Sequence, residues 1–266
     1  MRDQIKIMRF IVTPAALLIA IATICLLDFS PLPPWVARFL ADREIVLNAE
    51  GAVVADNVKI FSFQYAMWIC FYWGIGELLV RWFATRHQEQ ELKLGFLPED
   101  APDSPQTMLT VEKIPEIHQR LNRAHRDGYP TRLIRLLGYQ FQASKSISLC
   151  NELLNTETEL FQHEINLNYG VVRYIAWLLP SIGFMGTVWG IVQALDTAMQ
   201  HMEEKDKLLG FVVGDMSVAF WTTLLALILA ALLLFISHMV EGREERMLNS
   251  AAQYCVTNMI NRFWVP

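Results

Sequence analysis

Apolar residues along the chain gather into four long runs that contain no formal charge. These runs occupy residues 10–27, 60–76, 174–195 and 216–237. At 1.5 Å per residue, a helix of 22 residues such as 174–195 reaches about 33 Å, which is enough to cross the hydrocarbon core of a bilayer. The pattern therefore predicts an all-α polytopic membrane protein with four transmembrane helices and long helical extensions beside them.

Composition narrows the class of protein further. The chain of 266 residues is 53% hydrophobic and 18% charged, with a net charge of -5, whereas soluble domains carry about 25% charged residues. This balance excludes a soluble enzyme, and the acidic charge argues against a nucleic-acid partner. The four cysteines are far apart and no histidine stands at ligand spacing, so we expect no disulfide framework, metal or cofactor. No intramembrane catalytic set is apparent, and we expect no enzymatic activity.

Lysine and arginine in the connecting segments predict the orientation. Three basic residues precede the first run and eleven lie between Arg81 and Arg173, whereas the connection from Asp28 to Lys59 carries three against five acids. The positive-inside rule then places both termini in the cytoplasm. The expected order is a signal-anchor span (1–28), an outer loop (29–59), a second span (60–82), a cytoplasmic helical region (83–172), a third span (173–200), a short outer loop (201–210), a fourth span (211–240) and a cytoplasmic tail (241–266).

Within the cytoplasmic region, leucine, isoleucine and phenylalanine recur at helical spacing from Thr131 onward. Few helix-breaking residues interrupt this pattern before Gly170. The spacing predicts one long amphipathic helix that begins near residue 131 and continues into the third span.

The third and fourth runs each carry small or polar residues on one helical face. In the third, Pro180 precedes Gly183, Gly186 and Gly190; in the fourth, the stripe is Asp215, Ala219, Thr223, Ala226 and Ala230. Such faces pack against another helix or line a narrow water-filled channel, and the pattern leaves both interpretations open. A membrane threonine also commonly bonds its own helix, and Asp215 stands where the span meets the outer interface.

Two segments carry a family resemblance. Residues 179–190 (LPSIGFMGTVWG) and 219–227 (AFWTTLLAL) resemble the two pore-lining helices of the MotA/TolQ/ExbB proton-channel family. Val218 stands where ExbB- and TolQ-like members carry a glutamate. The missing glutamate and the four predicted spans are closer to MotA.

The resemblance implies an inner-membrane location, with the outer loops in the periplasm, and a homopentameric ring. Around the ring's axis it implies a single-span partner of the MotB/ExbD/TolR type, whose helix aspartate takes up and releases the proton. Thr187 and Thr223 would be the pore threonines, with Thr222 and Asp215 along the proton pathway. The small residues would pack the helices: Pro180, Gly183, Gly186, Gly190, Ala219 and Ala226.

The function expected from this resemblance is that of a motor or stator subunit that couples ion flow to mechanical work. The alternative is a non-conducting membrane scaffold, in which the small faces only pack helices and residues 106–170 dock a cytoplasmic partner. Proton and sodium both remain open as the coupling ion.

Overall fold

The computed structural model describes residues 2–29, 33–41, 44–47, 53–57, 62–97, 108–123, 128–200 and 205–264. Eight helices occupy most of these residues: α1 (Arg2–Phe29), α2 (Pro34–Ala41), α3 (Phe63–Leu92), α4 (Ile114–Arg123), α5 (Tyr129–Ser144), α6 (Ile147–Asn168), α7 (Gly170–Gln200) and α8 (Lys205–Asn258). Short 3-10 turns cover Val111–Lys113 and Ile260–Arg262. The helical prediction therefore holds for nearly all of the described chain.

The predicted outer loop 29–59 contains more structure than expected. It holds α2 and an antiparallel hairpin of β1 (Glu44–Leu47) and β2 (Val53–Asn57). Glu44 pairs with Asn57, and the register shifts between Val46 and Leu47. Both strands are rich in β-branched residues, which favour extended backbone. The fold is thus all-α with one small hairpin added.

The prediction of one uninterrupted helix from residue 131 is wrong. Lys145 adopts the left-handed conformation with φ 50°, and its N–H donates to the Phe141 carbonyl, which ends α5. The Ser146 hydroxyl then accepts a hydrogen bond from the Leu149 N–H at 3.5 Å and caps α6. A second break separates α6 from α7 between Asn168 and Gly170.

Among the residues that the structure describes, three segments are long and apolar enough to cross a membrane: Met8–Phe29, Ile147–Gln200 and Val212–Arg262. The predicted second span lies in α3, a continuous helix of 30 residues that is not among these three. The first half of α3 is aromatic rather than aliphatic.

The three long apolar helical segments indicate that the chain is a helical membrane protein. The predicted short loop 201–210 overlaps the start of α8, which begins at Lys205; residues 201–204 lie outside the described part.

The described residues divide into two compact units. The apolar unit comprises Arg9–Leu78 and Val171–Ser237, and the polar unit comprises Met1–Met8, Leu79–Gly170 and His238–Pro266. The uncharged runs 174–195 and 216–237 of α7 and α8 fall in the apolar unit. The charged ends of the long helices fall in the polar unit.

In the apolar unit, α3 runs antiparallel to α1. Thr23 donates to the Tyr72 hydroxyl at 3.1 Å, and the Tyr65 hydroxyl donates to the Asp28 carboxylate at 2.6 Å. Helix α2 joins this group because the Trp68 indole N–H donates to the Leu40 carbonyl at 3.0 Å. The polar ends of aromatic side chains thus fix the helices against one another.

Helices α7 and α8 also pack antiparallel within the apolar unit. A Cβ atom placed on Gly190 would lie 2.6 Å from the Ala219 Cβ and 3.1 Å from the Ala219 Cα. A Cβ on Gly186 would lie 2.8 Å from the Thr222 hydroxyl oxygen. Gly183 similarly faces Ala226. The two helix backbones are therefore as close as residues without side chains permit.

The polar unit is held together by aromatic packing. The Phe141 and Phe263 rings stack with centroids 3.8 Å apart, and the Tyr129 and Phe161 rings lie 4.9 Å apart. Leu109 forms a parallel bridge to Phe263. These contacts join the C-terminal segment to α5 and α5 to α6.

We predict that Gly190→Ala destabilises the apolar unit by about 1–3 kcal/mol, because the new methyl group meets the Cβ and backbone atoms of Ala219, none of which can rotate away. Thermal unfolding of the full chain in detergent measures this loss. Gly214→Ala is the matched control, since a Cβ on Gly214 of α8 meets nothing within 4 Å. Equal unfolding temperatures for the two variants would contradict the close α7–α8 approach.

Candidate functional site

The two threonines singled out by the sequence lie side by side in the apolar unit. Thr187 belongs to α7 and Thr223 to α8, and their hydroxyl oxygens are in hydrogen-bond contact. Either hydroxyl is able to donate to the other. Both residues are half-buried, so one side of the pair is accessible from outside the isolated chain.

Two backbone carbonyls complete the hydroxyl network. The Thr187 hydroxyl lies 3.0 Å from the Ala219 carbonyl of α8 and 3.2 Å from the Gly183 carbonyl of its own helix. The Thr223 hydroxyl donates to the same Gly183 carbonyl at 3.2 Å. Each threonine therefore contacts a carbonyl of the opposite helix, which is more than the bond to its own helix that a lone membrane threonine makes.

This network has more acceptors than protons. Each hydroxyl carries one proton and two lone pairs, while the Gly183 and Ala219 carbonyls and the partner hydroxyl all accept. The proton between Thr187 and Thr223 is consequently able to reverse its direction without creating a charge. A pair of this kind can donate to, or accept from, a water molecule or a carboxyl group placed beside it.

The other predicted pathway residues have different surroundings. Thr222 is 2% exposed and faces Gly186 between the two helices. Its hydroxyl donates to the Ala219 carbonyl at 2.7 Å. Asp215 lies in α8, but its side chain is outside the described part of the structure. The described site thus brings together three threonine hydroxyls, and Asp215 is not placed relative to them.

The residues predicted to pack the helices lie at the same contact. Gly183, Gly186 and Gly190 are buried in α7, and Ala219 and Ala226 are each 0% exposed in α8. Pro180 lies inside α7 and is half-buried. The small face of each helix is therefore turned toward the other helix of the same chain.

Large apolar side chains cover the outer faces of both helices. Residues more than half exposed include Trp177, Phe184, Trp189, Val192 and Leu195 of α7 and Phe220, Leu227 and Phe235 of α8. Exposed aliphatic and aromatic surface of this extent suits lipid or another membrane helix.

An ion pair in the apolar unit was missed by the sequence analysis. The Arg9 guanidinium lies 3.0 Å from the Glu77 carboxylate, which is largely buried. The two residues stand at the ends of the first and second apolar runs that the predicted orientation places on the same side of the membrane. Opposite charges at the same end of two neighbouring spans would have predicted this ion pair from the sequence.

A group of buried polar residues in the polar unit was also missed. Arg81, Thr85, Gln88 and Glu91 follow one another along α3 and are each at most 5% exposed. Glu244 of α8 is 1% exposed and accepts a hydrogen bond from the Tyr169 hydroxyl at 3.0 Å. The helical spacing of the four α3 residues predicts that they share one face, but it does not distinguish a buried face from a solvated one.

Within the described residues, no group of three or more histidine, cysteine, aspartate or glutamate side chains is placed to hold a metal ion.

One comparison with known proteins gave a match. The family model of the MotA/TolQ/ExbB proton channel family matches residues 128–253, a segment that runs from the start of α5 into α8 and contains both threonines. Neither the curated proteins nor the solved structures gave a match. Residues 128–253 of the chain are therefore similar to the MotA/TolQ/ExbB proton channel family.

Proposed function

We propose that the chain is a ring-forming subunit of a bacterial inner-membrane proton channel or motor. It would couple ion flow to mechanical work through a single-span partner of the MotB/ExbD/TolR type that carries a helix aspartate. The observation that carries this proposal is the hydroxyl contact between Thr187 and Thr223 on two adjacent membrane helices. Both residues lie in the segment matched to a family of channels.

The proposed chemistry follows from the neutrality of the hydroxyl pair. A partner carboxylate inside a ring of apolar helices is costly while charged, and protonation lowers this cost. Thr187 and Thr223 supply a hydrogen bond to the carboxyl group in either protonation state, because a hydroxyl both donates and accepts. Proton uptake and release by the partner are thereby linked to its movement past the ring wall.

We propose four spans, with α3 as the second. Several contacts support its membrane position although it is less apolar than the other three segments. Its first half, to Leu78, belongs to the apolar unit. A Cβ on Gly76 would lie 2.9 Å from the Ala16 Cβ of α1, and a Cβ on Gly74 would lie 2.9 Å from the side chain of Leu233 of α8. A helix packed this closely between α1 and α8 crosses the same layer as they do.

The remaining assignments complete this proposal. The termini and residues 83–172 lie in the cytoplasm, the spans are 1–28, 60–82, 173–200 and 211–240, and the chain assembles as a homopentamer in the inner membrane. The exposed apolar side chains of α7 and α8 support assembly, because a neighbouring subunit buries such surface as well as lipid does.

One observation favours the scaffold alternative. Gly183, Gly186 and Gly190 all face α8 of the same chain, so the small stripe of α7 packs its own partner helix and does not itself line a passage. In that case the ring would hold no central helix and conduct no ions. Residues 106–170 would then dock a cytoplasmic partner.

We predict that the double variant Thr187→Val/Thr223→Val loses at least ten-fold in proton flux, since valine keeps the shape of threonine but offers no hydroxyl to a carboxyl group. The measurement is proton uptake by vesicles that contain the complex purified together with its single-span partner. Thr13→Val is the matched control, because the Thr13 hydroxyl bonds the Arg9 carbonyl of its own helix. Undiminished flux in an intact double-variant complex would refute the proposed pathway.

Native mass spectrometry of the complex tests the assembly. We expect a homopentamer of this chain that carries a single-span partner with an aspartate in its helix. A ring without any partner helix, together with vesicles that take up no protons, would favour the scaffold instead.

A further inference from the structure

The polar unit buries an unusual amount of charge. On α3, Arg81 is 5% exposed and Glu91 is 2% exposed. Glu91 is well satisfied, since it accepts hydrogen bonds from the Gly128 N–H at 3.1 Å and the Thr131 hydroxyl at 3.0 Å. The hydrogen-bonding capacity of Arg81 is less completely used, because its Nε has no hydrogen-bond partner among the described residues. Buried polar groups of this kind need an explanation.

Glu244 is the most enclosed carboxyl group of this cluster. It lies on α8, beyond the uncharged run that ends at Ser237, and is 1% exposed. The Tyr169 hydroxyl of α6 donates to its Oε2 atom at 3.0 Å, and the Tyr129 hydroxyl of α5 also favours its anionic form. The carboxyl group thus bonds α6 to α8, and α5 contributes a second hydroxyl to its surroundings.

The charges that face Glu244 come from several helices. Arg81 of α3 attracts its anionic form, whereas Glu164 of α6 repels it. Glu241, one turn earlier on α8, adds a further negative charge near Tyr169. The attraction of Arg81, opposed by Glu164, offsets only part of the cost of removing the Glu244 carboxylate from water.

The balance of these effects favours the neutral acid. Burial raises the pKa of Glu244 above its ordinary value, against the opposing influence of Arg81 and the two tyrosine hydroxyls. Burial and the Glu244 charge also raise the pKa of Tyr129 and of Tyr169. Both tyrosines therefore keep their protons and remain donors while Glu244 titrates.

We propose that Glu244 is a proton-binding site inside the polar unit, and that its protonation state sets how firmly α5 and α6 are held to α8. Uptake of a proton from water forms one O–H bond on the carboxylate and requires no other reactant. The protonated acid is still able to accept from the Tyr169 hydroxyl through its carbonyl oxygen and to donate through its own O–H. The site is separate from Thr187 and Thr223, and it stands whether or not the ring conducts.

The sign of the pH dependence follows from the raised pKa. The folded chain binds the Glu244 proton more tightly than the unfolded chain does, so this stabilisation is fully present below the ordinary glutamate pKa. It is lost as pH rises through the raised value. Increasing pH therefore loosens the contacts of α5 and α6 with α8.

Infrared spectroscopy of the full chain in lipid nanodiscs tests the site, because it distinguishes a protonated carboxyl group from a carboxylate. Titration between about pH 5 and pH 9, the range in which buried glutamates ionise, should reveal one buried protonated carboxyl group per chain that disappears at high pH. Glu244→Gln should remove this signal and flatten the decrease of unfolding temperature with pH. Glu245→Gln is the matched control, since Glu245 is partly exposed and bonds Gln162, and it should retain both effects.

Tyr169→Phe provides a second test that does not depend on the folding of Glu244→Gln. Loss of a donor to the anion should move the titration of the carboxyl group upward by about one pH unit. An unchanged titration in Tyr169→Phe, or the same protonated carboxyl signal in Glu244→Gln as in the parent chain, would overturn the proposal. No measurement here uses proton flux, so its failure is distinguishable from failure of the pathway through Thr187 and Thr223.

Discussion

The close approach of α7 and α8 is the constraint on which the candidate site depends. The threonine hydroxyls of the two helices meet, and each reaches a carbonyl of the opposite helix, only because Gly183 and Gly190 carry no side chain where α8 passes. In lipid no difference in hydrophobicity drives two apolar helices together, so van der Waals contact and interhelical hydrogen bonds must do so. The glycines provide the contact, and Thr187 and Thr223 provide the hydrogen bonds. Helix packing and the proposed proton chemistry therefore depend on one interface, and a residue that separates the helices also separates the hydroxyls.

The periodicity of small residues predicted which face of each helix turns away from lipid, but it did not predict what that face contacts. A stripe such as Ala219, Thr223 and Ala226 fixes a direction on the helix surface, and the same direction suits a wet passage or a second helix equally well. The structure turns the α7 stripe toward α8 and buries Thr222 in that contact. Thr187 and Thr223 remain half-buried at its edge. One helical position, about 100° of rotation, separates Thr222 from Thr223, and such a difference depends on the partner helix, which the sequence of one helix does not specify.

Other features escaped prediction because they depend on single residues or on tertiary contacts. The end of α5 rests on the φ of Lys145 and on the Ser146 cap, and neither interrupts the apolar spacing that predicted a longer helix. The buried polar face of α3 has the spacing of an ordinary solvated face, and only the helices packed over it distinguish the two cases. Burial of Arg81 and Glu91 is costly unless neighbours satisfy them. Their polar partners, among them Thr131, lie far away in the sequence.

The two proposed proton sites differ in how they treat charge. In the apolar unit, a charged group exposed to lipid would be strongly destabilised, so neutral hydroxyls such as Thr187 and Thr223 suit the proposed step in which the proton is only passed on. In the polar unit, Glu244 lies beside Arg81 and two tyrosine hydroxyls, and this partial compensation allows one carboxyl group to exist in both forms. A fully compensated carboxylate would stay ionised, and an uncompensated one would stay protonated at every physiological pH. The proposed titration of Glu244 therefore depends on neighbours that offset part, but not all, of the cost of burying its negative charge.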